Sequence, residues 1–92
     1  MIDFTTAMSI EKSKYMFLKK NGKAYHQLGE ITRDYYDVEL IYVDSEDDEY
    51  WVGHFCEGFG FVNVRFQKSA CREVTEEEIT LCKNGKMREI KY

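Results

Sequence analysis

Proline is absent from this chain, and cysteine, histidine and tryptophan are scarce, with three, two and one copies in 92 residues. The lack of proline beside an aromatic share of 15% excludes a disordered composition and points to folded β structure. Three cysteines without a CxxC spacing make no disulfide framework; they suit a reducing compartment, and the expected location is cytoplasmic. No apolar run approaches the ~20 residues of a membrane span, and the first residues, MIDFTTAMSI, lack the basic start and apolar block of a signal peptide. Positive charge is not in excess: 13 Lys and Arg stand against 17 Asp and Glu, a net charge of −4. Nucleic acid and membrane are therefore not expected partners. A Gly-rich phosphate loop and a serine nucleophile elbow are missing too, so the chain is expected to be no enzyme and to use no cofactor.

What is present is a single domain, residues 1–92, organised around residues 50–67, YWVGHFCEGFGFVNVRFQ. This stretch reads as two strands folded back at Glu57-Gly58, with Gly58 supplying positive φ. Cys56 then faces Phe59. One face carries Trp51, Gly53 and Phe55 against Gly60, Val62 and Val64, with Phe66 beyond, and is a core face. The other carries Tyr50, Val52, His54 and Cys56 against Phe59, Phe61, Asn63 and Arg65, apolar at the turn end and polar at the far end. Glu is a poor residue for positive φ, so a longer loop in the same register or a one-residue slip stays open.

Upstream, residues 36–43, YDVELIYV, alternate as a strand. A six-residue loop, residues 44–49, would pair Val43 with Tyr50 and put Val38, Leu40 and Tyr42 on the core face of the hairpin. A five-residue loop would flip the strand and set acidic residues beside the core, which charge burial disfavours. Nearer the start, Ser9 can cap a helix running toward Lys20 and closed by Asn21-Gly22, with Met8, Tyr15 and Leu18 at helical spacing. The preferred reading makes residues 15–18 a strand, KNG a turn and residues 24–32 the returning strand, with Gly29 a bulge or bend. Downstream, KSACRE reads as a loop. Thr75 and Glu78 form a capping box for one helical turn near residues 75–79. ITLCKNGKMREIKY reads as a second hairpin around Lys83 to Lys86.

These elements predict a mainly β fold, either a small, strongly bent antiparallel sheet or an SH3-like barrel with one short helical turn. Over about Lys23 to Ile79 the layout is similar to SH3-like domains such as Tudor or KOW modules, a resemblance of architecture that transfers no function. The alternative is an α+β fold with an N-terminal helix packed on the mixed face of the hairpin.

His54 and Cys56 share a strand face, but His26, Cys71 and Cys82 are scattered and offer no second ligand pair, so no metal site is expected. The acidic run has no calcium-loop spacing. It reads as a solvated loop or, with Asp44, Glu46, Asp47, Asp48 and Glu49 joined by Asp34, Asp37, Glu39 and Glu76 to Glu78, as an acidic surface of a phage-type inhibitor or nucleic-acid mimic for a basic protein. The mixed hairpin face, with Tyr50, Val52, His54, Phe59, Phe61 and Arg65 beside Ile41 and Val43, would leave an apolar patch, and Arg65 can stack on Tyr50. An aromatic cage from Tyr35, Tyr36, Tyr50 and Phe59 is a special case. The expected function is a small non-enzymatic interaction module or adaptor that binds a partner protein, a second copy of itself included, through that face.

Overall fold

The computed structural model describes residues 14–33, 36–56 and 61–92. Seven strands lie among them: β1 (Tyr15–Lys19), β2 (Ala24–His26), β3 (Gly29–Ile31), β4 (Val38–Glu46), β5 (Tyr50–Phe55), β6 (Val64–Gln67) and β7 (Cys71–Glu73), followed by helix α1 (Glu76–Lys83). They form one antiparallel sheet in the order β3-β2-β6-β5-β4-β1-β7. The fold is mainly β and the sheet is open, with β3 and β7 at its two edges.

The sheet must bend. β1 and β2 stand four strand spacings apart in the order, about 19 Å in a flat sheet. The chain joins them through residues 20–23 alone, a path tightened by a turn in which the Gly22 N–H donates to the Lys19 carbonyl at 2.8 Å. Curvature resolves the mismatch, and the inner face becomes a core: Leu18, Ala24, Ile31, Ile41, Val43, Phe55, Val64, Phe66 and Ala70 form one buried cluster. The outer face of β1 and β4 is buried as well. Tyr15, Phe17, Val38, Leu40 and Cys56 pack there against Val74, Ile79, Cys82, Met87 and Ile90 of the C-terminal segment.

Coverage of both faces overturns the expected register of β4. Ile41 pairs with Phe55, Tyr42 with His54 and Val43 with Gly53. Ile41 and Val43 therefore face inward with Phe55, while Val38, Leu40 and Tyr42 face outward. β4 continues through the first half of the acidic run to Glu46, with a bulge between Val43 and Ser45, and the connection shrinks to residues 47–49. The flip does bring an acidic residue into the core. Glu39 is 3% exposed, and the Arg33 guanidinium meets it at 3.6 Å while lying 5.0 Å above the Phe55 ring. A buried carboxylate held by a guanidinium avoids the penalty that excluded this register.

The β5–β6 pairing also differs from expectation. Trp51 pairs with Phe66 and Gly53 with Val64, a slip of two residues. Because side chains alternate with period two, this slip preserves the division of faces. Trp51, Gly53, Phe55, Val64 and Phe66 keep the core side, but Val62 is 67% exposed. Asn63 has φ 56°, a left-handed residue that starts β6 only at Val64. The Glu57-Gly58 turn, Phe59 and Gly60 lie outside the described residues.

Corrections at the ends have local causes. Tyr15–Lys19 is a strand, but it pairs with β4 and β7 and not with residues 24–32. Those residues fold on themselves as the β2–β3 hairpin, whose turn ends on Gly29 at φ 137°. A helix running to Lys20 is excluded; Ser9 and Met8 lie outside the described residues. KSACRE is a 3-10 turn leading into β7. The expected second hairpin is helical instead. Thr75 and Glu78 make the capping box, and Val74 and Ile79, both buried in the outer cluster, occupy the positions of a hydrophobic staple. Lys86 N–H donates to the Leu81 carbonyl at 2.8 Å and Gly85 N–H to the Cys82 carbonyl at 3.1 Å, a Schellman closure with Gly85 at φ 72°. The helix that packs on the sheet is thus C-terminal.

Candidate protein-interaction surface

α1 and the segment after it cover the β1 and β4 part of the outer face. On the β5, β6 and β2 part the cross-strand pairs are Tyr50 with Gln67, Val52 with Arg65, and Arg65 with Tyr25. All five residues project to the same side. Arg65 is exposed, and Tyr25, Tyr50, Val52 and His54 are half-buried. The Arg65 guanidinium lies 4.7 Å from the Tyr50 ring centre, although its directly opposed residue is Val52. Tyr25 meets Tyr50 edge-on at 6.0 Å. The row runs on through His54, stacked on Tyr42 at 5.2 Å, to Tyr15, edge-on to Tyr42 at 5.3 Å. His54 Nδ1 lies 3.1 Å from the Phe55 carbonyl. A carbonyl only accepts, so Nδ1 carries the proton there. Burial grows along the row, and at its inner end desolvation pushes the Tyr15 hydroxyl up to about 12.

Four expected residues, Tyr50, Val52, His54 and Arg65, are therefore brought together. Phe61 is not with them. It packs against the inner cluster and stacks on His26 at 4.2 Å, so the partner of His54 is Tyr42. Phe59 and Tyr35 lie outside the described residues, and Tyr36 packs on the helix-side cluster, away from Tyr50. Ile41 and Val43 face inward. Tyr25 escaped the sequence reading because only the long-range β2–β6 pairing delivers it; its sole local signal is the alternation Ala24-Tyr25-His26. A cleft of about 330 Å³ adjoins Tyr50, lined by Glu49, Gln67, Lys68 and Ser69.

The acidic surface contracts. Glu46 pairs with Lys68 at 3.2 Å, and that ammonium lies 4.5 Å over the Trp51 ring. Asp37 accepts from the Tyr92 N–H at 2.7 Å, Glu39 is buried, and Glu78 is bound to Arg72 at 2.6 Å. Asp47 folds the turn, its Oδ1 accepting from the N–H groups of Glu49 at 3.0 Å and Tyr50 at 2.8 Å. Asp44, Asp48 and Glu49 remain exposed, as do Glu76 and Glu77 at the start of α1, and Asp34 lies outside the described residues.

Among the described residues no three His, Cys, Asp or Glu side chains stand together in a way that could hold a metal ion. Cys56 is 2% exposed in the helix-side cluster. Burial pushes the Cys71 thiol up to about 12, and it donates to the Gln67 carbonyl at 3.3 Å, an environment opposite to that of a nucleophilic thiolate. No described helix is long and apolar enough to cross a membrane. No protein-family model, curated protein or solved structure matches the chain.

Proposed function

We propose that this chain is a small non-enzymatic interaction module that binds a partner protein through the outer face of β2, β5 and β6. The observation that carries the reading is the cluster of Tyr25, Tyr50, Val52 and Arg65, half-buried to exposed on an antiparallel sheet, with Arg65 held over Tyr50. Tyr and Arg are the residue types that dominate binding hot spots, and a sheet presents them with little loss of conformational freedom on binding. An SH3-like layout is part of the proposal, supported by the bend of the sheet, and a cytoplasmic setting is supported by three cysteines that form no disulfide. The acidic-inhibitor reading has less support, because Asp37, Glu39, Glu46 and Glu78 are engaged within the molecule.

Photo-cross-linking tests the proposal. A benzophenone amino acid at position 52 is expected to give a discrete adduct in extracts of the source cells, competed by excess unmodified chain but not by a Tyr50→Ala/Arg65→Ala double variant. The same probe at Glu77, exposed on α1, is expected to give none. Equal labelling from both positions, or no adduct at 52, sinks the reading.

A further inference from the structure

We infer that the partner is a second copy of this chain, with each Arg65 guanidinium received by the acidic β4–β5 turn of the other copy. The inference rests on the interaction-surface reading and names its occupant from charge complementarity. Arg65 is exposed, and among the described residues no carboxylate pairs with it; Lys23, Arg33, Lys68 and Arg72 are the cations found in ion pairs. A guanidinium resting over an aromatic ring keeps its planar fork of N–H donors available for a carboxylate.

The complementary groups lie next to Tyr50 in the chain. Tyr50, whose ring carries Arg65, directly follows the turn of residues 47–49. Asp47 is consumed in folding that turn. The Asp48 and Glu49 side chains are exposed, and neither is in an ion pair among the described residues. Positive and negative groups thus stand side by side, the Arg65 guanidinium over the Tyr50 ring and the acidic turn immediately before Tyr50 in the chain. A two-fold axis passing near Tyr50 sets each Arg65 against the other copy's turn and brings the two Tyr50 rings together, the self-complementary pattern an isologous dimer needs. The net charge of −4 on each copy opposes their approach while the Arg65 pairs favour it, so the dimer is expected to be weak and sensitive to salt.

Sedimentation equilibrium of the full chain decides the matter. The wild type is expected to dimerise with a dissociation constant that rises roughly tenfold in Arg65→Gln, and likewise in about 1 M salt, where the screening length falls to about 3 Å. The charge swap Arg65→Glu with Asp48→Lys and Glu49→Lys is expected to dimerise again, while either half alone does not. All three positions are exposed, and matching thermal melts confirm intact folds. A wild type that stays monomeric at every concentration, or a dimer indifferent to both Arg65→Gln and salt, overturns the inference. If an indifferent dimer is broken by Val52→Asp, the interaction surface and its occupant stand and the Arg65 contact is wrong; if a monomer still gives a foreign adduct at position 52, the surface stands and its occupant is wrong. A monomer without any adduct removes both.

Discussion

At the scale of single residues, Gly53 is the most constrained position in the sheet. A Cβ added there would lie 1.7 Å from the Tyr42 carbonyl oxygen and 2.8 Å from its carbon. Both are backbone atoms of the neighbouring strand and cannot rotate away. Gly53 sits beside the bulge in β4, where the two backbones draw together, and only a residue without a side chain fits. Gly53→Ala is expected to cost about 3 kcal/mol, since overpacking against backbone relaxes poorly. Urea unfolding measures it, and a midpoint equal to wild type would contradict the strand pairing described above. Glu39 shows the opposite solution, a charge accepted into the core because Arg33 comes with it.

At the scale of elements, β7 and α1 are joined through one guanidinium. Arg72 grips the Glu78 carboxylate with two bonds, at 2.9 and 2.6 Å, and donates to the carbonyls of Glu73, Lys91 and Tyr92. The hydrogen bonds from Arg72, aided by the Thr75 cap, hold the Glu78 carboxyl down at about 2, against 4.5 ordinarily. A depressed carboxyl stabilises the fold at pH values above 4.5. That contribution drains away as the pH falls from 4.5 toward 2, where the folded state must also take up the proton. Glu78→Gln keeps a capping-box residue but loses the charge. It is expected to be less stable by about 1.5–3 kcal/mol at neutral pH, with the gap to wild type closing through that acid window. Denaturant midpoints across the window test this; a constant gap would show that the charge on Glu78 is not the cause.

At the scale of the whole molecule, stability comes from one bent sheet buried on its inner face and, over β1 and β4, on its outer face as well, and protons leave its buried acids reluctantly. Burial holds Tyr15, ordinarily 10.0, and Cys71, ordinarily 9.0, up to about 12. The unfolded chain releases these protons first, so the contribution of these two groups is full below pH 9 and declines as the pH rises toward 12. Urea midpoints followed over that range are expected to fall. Cys71→Ala should flatten the fall from its lower end and Tyr15→Phe its upper part. Unchanged slopes in both variants would mean that other groups drive the alkaline loss.

Strand alternation, the Thr75 capping box and the inward set Trp51, Phe55, Val64 and Phe66 were legible in the sequence, because each depends on chemistry within a few residues. The amino-acid order alone also selected Tyr50, Val52, His54 and Arg65 as one surface, since period-two alternation survives a slip of two. Tertiary structure decided the rest. An Asn-Gly pair supplies a left-handed residue equally to a hairpin turn and to a helix closure, and the apolar spacing of Ile79, Cys82, Met87 and Ile90 against the sheet chose the helix at Asn84-Gly85. Whether residues 38–43 bury one face or two depended on α1 arriving from more than thirty residues away, and the register of β4 turned on that coverage. Tyr25 joined the surface because strands distant in sequence pair only once the sheet bends, and Phe61 left it because β6 starts only at Val64, after the left-handed Asn63. Local sequence sets which side chains share a face; the distant segments that cover that face determine which way it points.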